Sequence, residues 1–408
     1  MKYDVIIIGA GASGLAAAVS AAKNKKLALV EGSKKLGKKL LATGNGRCNI
    51  SNENLSLEKY HGDLKELAPY FKEMPLSTVI SFFNNIGIIT KADEEGRVYP
   101  INYQAQAVCD ALERAAVNNN CDIYTEFTAV SVTKHKGVFS VKSADGKSLT
   151  AEKVIIASGG AAAPKLSCKN DSYSIIKSLN HSVTTLTPSL VQFTPKDKFL
   201  YNLQGVRAKA NSALYIGDRK IREEKGEVQF NDKALSGICV MQLSSDISTY
   251  LNSDLSFKEK ACLELDLMPD YNFADLLLIL KNIIKSVEKL QINDLLSGIL
   301  NLKLGKEILK SLKLDLSASA KSLKEQDLKR VVSNIKAFRI NLSGVKGFDD
   351  AQVTSGGVPL SEINLSTMES KRVKGLYFTG EVLNIHGDCG GYNLHFAFST
   401  GIKAGKNI

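Results

Sequence analysis

The sequence predicts an α/β chain: a Rossmann-like domain of the two-dinucleotide-fold type, built from both chain ends, with an inserted β domain and a helical domain between them. Three observations carry this. The apolar run Val5 to Ile8 leads straight into Gly9, Gly11 and Gly14, spaced G-x-G-x-x-G. Near the other end, Leu376 to Glu381 is a second apolar run closing on Gly380 and an acid, followed by the glycine-rich segment His386 to Gly391. From Thr187 to about Arg330 the pattern changes, first to short alternating strands and then to apolar spacings of three and four.

The opening stretch reads as a buried strand, a tight turn and a helix N-terminus. Gly9 permits the turn, Gly11 lets backbone approach a pyrophosphate, and Gly14 lets the helix pack on the sheet; Ala12 and Ser13 belong to the same anion-facing turn. Leu15 to Ala22 supplies a small-residue helix, and Leu27 to Val30 a second buried strand ending at Glu31, with Gly32 beside it. An acid about 20 residues past the glycines is placed to accept hydrogen bonds from both ribose hydroxyls of an adenosine. The glycine motif alone would fit an ordinary turn, but strand, helix, strand and terminal acid together make the dinucleotide reading.

At 408 residues, 44% hydrophobic and 23% charged, the chain has material for two or three domains and a large core. Its opening apolar run is short, interrupted by glycines and preceded by an acid, unlike a signal peptide. No later stretch has the roughly 18 uninterrupted apolar residues of a membrane span, so a cytoplasmic protein without a membrane partner is expected. Seven scattered cysteines without a C-x-x-C pair read as reduced thiols, and neither they nor the five histidines have metal-ligand spacing, so no metal is expected. The 53 Lys+Arg against 42 Asp+Glu, net +11, favour an anionic partner such as a nucleic acid; a lysine-rich proteome gives the same balance without one.

After Glu31 come Lys34, Lys35 and Lys39, and then Thr43, Gly44, Asn45, Gly46, Arg47, Cys48 and Asn49. Two glycines and three small polar side chains suit a backbone nest against a phosphate or flavin edge. Lys34 and Lys35 read as a solvated face, Arg47 as an anion contact. Residues 55–90 read as helical, with Pro75 opening a helix around Ser77 to Asn85. Glu94 to Pro100 reads as a hairpin or turn and Ala105 to Asn118 as a helix. Cys121 to Val132, Val138 to Lys142 and Lys147 to Ala151, with an Asp145-Gly146 turn, read as a small antiparallel hairpin. Val154 to Ala157 is a buried strand that brings Ser158 and Gly159 to the cofactor. From Thr187 to about Thr249 an inserted β domain is expected, including a polar loop, Gly226 to Cys239, reaching toward the active site. Residues 251–331 read as a helical bundle with solvated lysines, the alternative being a basic surface for a nucleic acid. Ala337 to Leu342 is a strand returning to the β domain. The expected boundaries are 1–188 and 353–408 for the nucleotide-binding domain, 189–250 and 332–352 for the β domain, and 251–331 for the helical domain.

The C-terminal stretch closes the cofactor site. A strand running into Gly380-Glu381, the segment His386 to Gly391, Tyr392, Asn393 and the small-residue helix His395 to Ala404 form the second half of a site for the ribityl and pyrophosphate of FAD. This pairing selects FAD over NAD as resident cofactor, because an NAD fold needs no distant second half. A second G-x-G-x-x-G, which would mark a separate NAD(P)H domain, does not occur.

The stretches Gly9 to Gly14, Leu41 to Asn49 (L-A-T-G-N-G-R-C-N), Gly226 to Gly237, Val353 to Val358 and Gly375 to Gly401 resemble, in order along the chain, the BaiN/YhiN-like family of FAD-dependent NAD(P)H oxidoreductases, also labelled aminoacetone-oxidase-type. The resemblance implies a three-part architecture with an FAD domain from both chain ends, and a flavin reduced by NADPH or NADH. It also implies two activities: reduction of a carbon–carbon double bond in steroid-like enones, and formation of dihydrouridine in large-subunit (23S) ribosomal RNA. Two places depart from the family pattern. Leu166 to Ser172 stands where the family has Gly-Ser-x-Gly-Asp-Gly, and Asn384 and His386 stand where it often has two aspartates.

Both activities act on a C=C bond conjugated to a carbonyl, so the cofactor would deliver hydride and the protein a proton. Cys48, Cys389, His386 and Tyr392 are the candidate acids, with Cys239 a further one through its loop; a size-limited cysteine or a structural histidine would look the same in sequence. Uridine in ribosomal RNA, docked through a basic surface, is the leading substrate, and a small-molecule enone the alternative. A flavin amine oxidase and a non-catalytic RNA-binding flavoprotein complete the set, since a fold alone does not choose among them.

Overall fold

Val5, Ile6 and Ile7 of the first strand, Lys2–Ile8, are fully enclosed, which an apolar strand achieves only with neighbours on both edges and cover on both faces. In the computed structural model, which describes residues 2–166, 172–253 and 261–408, this strand lies inside a mostly parallel sheet. In spatial order the sheet runs Leu376–Phe378, Ser148–Ile156, Lys2–Ile8, Leu27–Val30 and Cys121–Tyr124, all parallel. The C-terminal strand is therefore one strand removed from the first, and the two distant halves of the sequence share one sheet.

Three local expectations are corrected here. Cys121–Tyr124 is no hairpin strand: it follows the helix Ala105–Asn118 and pairs in parallel with Leu27–Val30, as a strand returning through a crossover helix must. Ser148–Ile156 is one continuous strand where two were expected. Its first half pairs antiparallel with Val138–Ser143, and Val154 to Ile156 then switch to Leu376–Phe378. Residues 55–90 are not helical throughout, because Tyr60–Gly62 pairs antiparallel with Ile385–Gly387, while the helices cover Leu64–Glu73 and Leu76–Asn85.

The glycine turn is held by contact. Gly9 sits at φ +104, and a Cβ on it would lie 2.5 Å from the Ala157 carbonyl oxygen. A Cβ on Gly14 would lie 1.9 Å from the Gly9 carbonyl oxygen. Behind this turn the first helix, Ala12–Ser20, is crossed by the C-terminal helix, Tyr392–Lys406. A Cβ on Gly401 would come within 2.2 Å of Ser13 O, and one on Gly405 within 2.5 Å of Ala17 O. Four residues apart and on one face, these glycines let the two helices meet backbone to backbone.

Contacts divide the chain into two compact units, Met1–Pro188 with Ala351–Ile408, and Ser189–Asp350. The second is a closed antiparallel barrel in the order Phe193–Pro195, Ala234–Ser236, Arg219–Asn231, Arg207–Ile216, Ala261–Asp266 and Phe338–Val345. The helices Phe273–Ser286, Leu302–Ser311 and Glu325–Lys336 bury Leu276, Leu280, Leu304, Ile308, Val331 and Ile335 in the same hydrophobic cluster as Leu263 and Ile340 of the barrel.

Residues 238–253, expected among strands, form the helix Ile238–Ser253, because Cys239, Val240, Leu243 and Ile247 recur at helical spacing and are all buried. The expected polar loop Gly226 to Cys239 is accordingly the end of one barrel strand, the strand Ala234–Ser236 and the start of this helix. Cys239 is enclosed there, its Sγ 3.5 Å from the Glu227 carbonyl oxygen. Among the described residues, no helix is long and apolar enough to cross a membrane.

Candidate cofactor site

The nucleotide end of the site is set by Glu31. Its two carboxylate oxygens accept hydrogen bonds from the Ala10 N–H at 3.0 Å and the Ser33 N–H at 2.8 Å, which fixes the carboxylate at the end of its strand while leaving lone pairs for hydroxyl donors. Gly9 N–H donates to Val30 O and Gly37 N–H to Ala10 O, so the glycine turn, Glu31, Gly32 and the segment carrying Lys39 form one ledge. A Cβ on Gly11 would meet no atom within 4 Å, so the motif is open on this side.

A second cluster joins four motifs. Lys39 Nζ lies 2.7 Å from Glu381 Oε2, and Thr354 N–H donates to Glu381 Oε1 at 2.8 Å. Thr354 Oγ1 accepts from the Ala162 N–H at 2.9 Å, beside Gly160. Ser13 Oγ donates to Thr379 O at 3.4 Å, and Gly380 N–H to Thr400 Oγ1 at 2.9 Å, tying the first helix to the C-terminal strand and helix. Glu381 is thus held by a lysine and a backbone amide.

The third cluster lies where Thr43 to Asn49 meets the C-terminal loop. Gly44, Asn45 and Gly46 have φ of +58, +55 and +81, and Cys48 of +59, a left-handed run that only glycine and asparagine take readily. Thr43 Oγ1 donates to Leu40 O at 2.6 Å and Cys48 N–H to Thr43 O at 3.0 Å. Arg47 folds back over this turn, its Nε donating to Gly44 O at 3.0 Å and its guanidinium 5.1 Å from the Tyr99 ring centroid. Gly391, at φ +102, allows the loop to press on Ser51 O and Asn49 Oδ1. Asn52 Nδ2 donates to Gly390 O at 2.9 Å, and Ser51 Oγ pairs with His395 Nδ1 at 2.9 Å. The Asn393 amide is spent on this loop, accepting from Gly387 N–H and donating to Gly387 O and Asp388 O. Asn384 donates to Asp63 Oδ1 at 2.8 Å. Of the departure segment Leu166 to Ser172, residues 167–171 lie outside the described residues.

The arrangement fits FAD. Ser158 Oγ, Thr379 Oγ1 and Asn49 Oδ1 are buried in these clusters without a protein partner. A buried polar atom left unpaired costs about 1–3 kcal/mol, and a polar ligand over the strand ends would supply the missing bonds. Gly11, Gly46 and Gly159 face open space on the same unit.

The candidate acids have unequal surroundings. Cys48 is fully buried, and burial pushes its thiol well up. Tyr392 is also buried; burial raises its phenol, its backbone carbonyl accepts from Tyr60 OH at 3.0 Å, and it lies edge-on to the Tyr60 ring. His386 is 3% exposed with neither ring nitrogen partnered, and burial, then the neighbouring His61, pull its pKa down to about 3. Cys48, Tyr392 and His386 are therefore poorly disposed to give up a proton near neutral pH, and Cys389 is the half-exposed member of the expected set.

Sequence reasoning missed the neighbours of His386. His61 stacks on it with centroids 5.0 Å apart and planes at 23°, and His61 Nε2 lies 3.0 Å from Asp388 Oδ1. The His61 side chain is 23% exposed and that of Asp388 1%, a buried carboxylate orienting an imidazole that reaches solvent. Also missed was Ser370–His181–Glu362, with 2.8 Å from His181 Nε2 to Ser370 Oγ and 2.7 Å from His181 Nδ1 to Glu362 Oε2. It has the order of a hydrolase triad, but Ser370 Oγ also accepts from Arg372 N–H at 3.0 Å and Val373 N–H at 2.8 Å. The hydroxyl is buried and saturated, so this trio pins the short strand Glu369–Ser370. No cluster among the described residues is placed to hold a metal.

The buried histidines set an acid limit on the fold. His386 at about 3 and His395, lowered by burial to about 4, stay neutral in the folded protein while the unfolded chain takes up protons below about 6.5. Stability therefore falls as pH drops from about 6.5, by about 1.4 kcal/mol per unit for each residue until its folded pKa is reached. Urea midpoints at about pH 7.5 and about pH 5 should differ, and His386→Asn should shrink the difference.

Of the two readings of residues 251–331, the basic surface gains no support from the charge count. Residues 251–331 carry 13 Lys+Arg against 12 Asp+Glu, so the helical segment has no appreciable excess; residues 23–47 carry eight Lys+Arg against one acid.

A family profile described as HI0933-like protein Rossmann domain matches residues 3–407. The 3-dehydro-bile acid delta(4,6)-reductase of Clostridium scindens is 32% identical over 404 residues, covering 98% of this chain and 97% of that protein. The ribosomal RNA dihydrouridine synthase of Escherichia coli is 29% identical over 421 residues, covering 100% of this chain and 98% of that protein. Among solved structures, 3-ketosteroid delta1-dehydrogenase from Sterolibacterium denitrificans shares the fold, with a TM-score of 0.52, 12% identity, and 99% and 98% of the two chains covered. With the glycine turn, Glu31 and the orphaned polar groups at the strand ends, these matches make the chain a member of the HI0933-like family, a flavoprotein oxidoreductase with an FAD-binding Rossmann-like fold.

Proposed function

We propose that the protein is an NAD(P)H-consuming reductase of a C=C bond conjugated to a carbonyl, acting on uridine in large-subunit ribosomal RNA in the cytoplasm. The carrying observation is that relatives named for two different substrates, matched over nearly the whole chain, share one reaction type, reduction of such a bond. When bound, FAD supplies hydride chemistry at the electron-poor carbon. The chain's own task is to hold the cofactor and give a proton to the adjacent carbon. His61, oriented by buried Asp388, is the group in the C-terminal loop cluster best built to carry that proton between solvent and site.

The five basic residues of 34–47, a stretch with no acid that ends in the cofactor loop, support a polyanionic substrate. Purified holoenzyme with NADPH or NADH and unmodified large-subunit RNA tests the reading: dihydrouridine should appear, and a preparation that oxidises NAD(P)H with an enone but never modifies RNA contradicts it. The second reading, a steroid-like enone as substrate, is favoured by the higher identity to the bile acid reductase. On either reading His61→Gln should lower turnover about 100-fold with flavin content unchanged. Stopped-flow measurement of substrate reduction checks this, and full activity in His61→Gln would move the proton to Cys389.

A further inference from the structure

Next to the Thr43 to Asn49 turn the protein exposes a cationic aromatic surface that borders the cofactor site at Arg47. Arg47 is exposed and lies over the Tyr99 ring at 5.1 Å, and Tyr99 and Tyr103 have centroids 5.5 Å apart at 45°. Tyr103 is 39% exposed at φ +53, and Ile101 beside it is 56% exposed. Ile101 N–H donates to Ile89 O and Tyr103 N–H to Pro100 O, so the tip Ile101 to Tyr103 is fastened to the strand below it. Lys91 is exposed and is the cross-strand partner of Tyr99. An aromatic side chain in the left-handed region is uncommon, and here it leaves a partly exposed phenol ring against the buried Tyr99 ring, over which the Arg47 guanidinium also lies.

We propose that Arg47 and Tyr103, both set against the buried Tyr99 ring, form with Ile101 and Lys91 a stacking platform for an unpaired nucleobase of RNA, with the two cations neutralising the flanking phosphates. This rests on the RNA reading of the substrate. An exposed guanidinium and an exposed ring set against one buried tyrosine offer a planar cation and a π-face, the two surfaces on which splayed-out bases stack. The five basic residues of 34–47, the last of them Arg47 and with no acid among them, give the charge complementarity that an apolar or neutral partner would not require. A base stacked here is held outside the duplex, a prerequisite for chemistry on its C5=C6 bond.

Fluorescence anisotropy of the holoenzyme with labelled single-stranded oligouridylate of about 12 nucleotides tests the platform. Tyr103→Ala should weaken binding at least about fivefold at unchanged flavin content, and Tyr103→Phe, which keeps the ring, should bind like the parent. Ile101→Asp, placing a negative charge on the same surface, is the second variant and should weaken binding at least as much. Binding by Tyr103→Ala and Ile101→Asp equal to the parent overturns the platform. Dihydrouridine formation in the same preparations separates the two levels. If the parent modifies RNA and both variants keep its KM, the platform is wrong and the substrate reading stands. If the parent neither binds nor modifies RNA, the substrate reading fails and takes the platform with it.

Discussion

Gly11→Ala is expected to leave the apoprotein folded and to lower FAD affinity by about tenfold or more, whereas Gly14→Ala, three positions on, should lose the fold itself. The difference is in what a methyl group meets. At Gly11 there is no protein atom within 4 Å, so the new Cβ enters the space in which a pyrophosphate would approach the backbone. Overlap there costs about 1–3 kcal/mol, which is roughly 5- to 150-fold in affinity. At Gly14 the Cβ would sit 1.9 Å from the Gly9 carbonyl oxygen and 3.2 Å from Ala157 Cβ, and both follow interior strands, at the strand ends that the helix must touch. Flavin titration of the apoproteins, with thermal melts alongside, reads both effects. If Gly11→Ala binds FAD as tightly as the parent, the glycine turn is structural and the cofactor lies elsewhere.

Gly401→Val should produce a large loss of stability through helix packing rather than through any cofactor contact of its own. Its Cβ would lie 2.2 Å from Ser13 O and 3.0 Å from Ala16 Cβ, and neither backbone can withdraw, because Ser13 is the start of the nucleotide-binding helix and Gly401 the middle of the C-terminal one. Forcing the helices apart also exposes Leu15, Phe398 and Ile402, all fully or nearly fully buried. An overpacked, partly exposed interface of this kind costs about 3–5 kcal/mol, lowering the melting temperature by roughly 6–20 °C. A melting temperature within about 3 °C of the parent would mean that the two chain ends do not depend on each other as the packing implies.

These two cases also mark how far the sequence alone could be read. Gly9, Gly14 and Glu31 announce their geometry because glycine spacing and a strand-terminal acid are local features. The strand near Leu376 follows from the same local pattern repeated. What the sequence concealed depends on partners far along the chain. His61 meets Asp388 across 327 residues, through the pairing of Tyr60–Gly62 with Ile385–Gly387. Each of these strands is three residues long, too short for periodicity to register. Lys39 and Thr354 find Glu381 in the same way. The misread helix Ile238–Ser253 is a different failure: its apolar residues do recur at helical spacing, but the strands before it set the expectation. The helical segment looked basic because its lysines stand out, although nearly as many acids are interleaved with them, while residues 34–47, which lead into the cofactor loop, carry five basic residues and no acid.

The central claim is that this flavoprotein reduces uridine in ribosomal RNA, and nucleoside mass spectrometry of purified large-subunit RNA from cells with and without the gene tests it most directly. Large-subunit RNA excludes the dihydrouridine of transfer RNA from the comparison. Loss of dihydrouridine on deletion, restored by the intact gene and not by Gly11→Ala, is the expected result. An unchanged dihydrouridine level would contradict the account and leave reduction of a small-molecule enone as the activity of this fold.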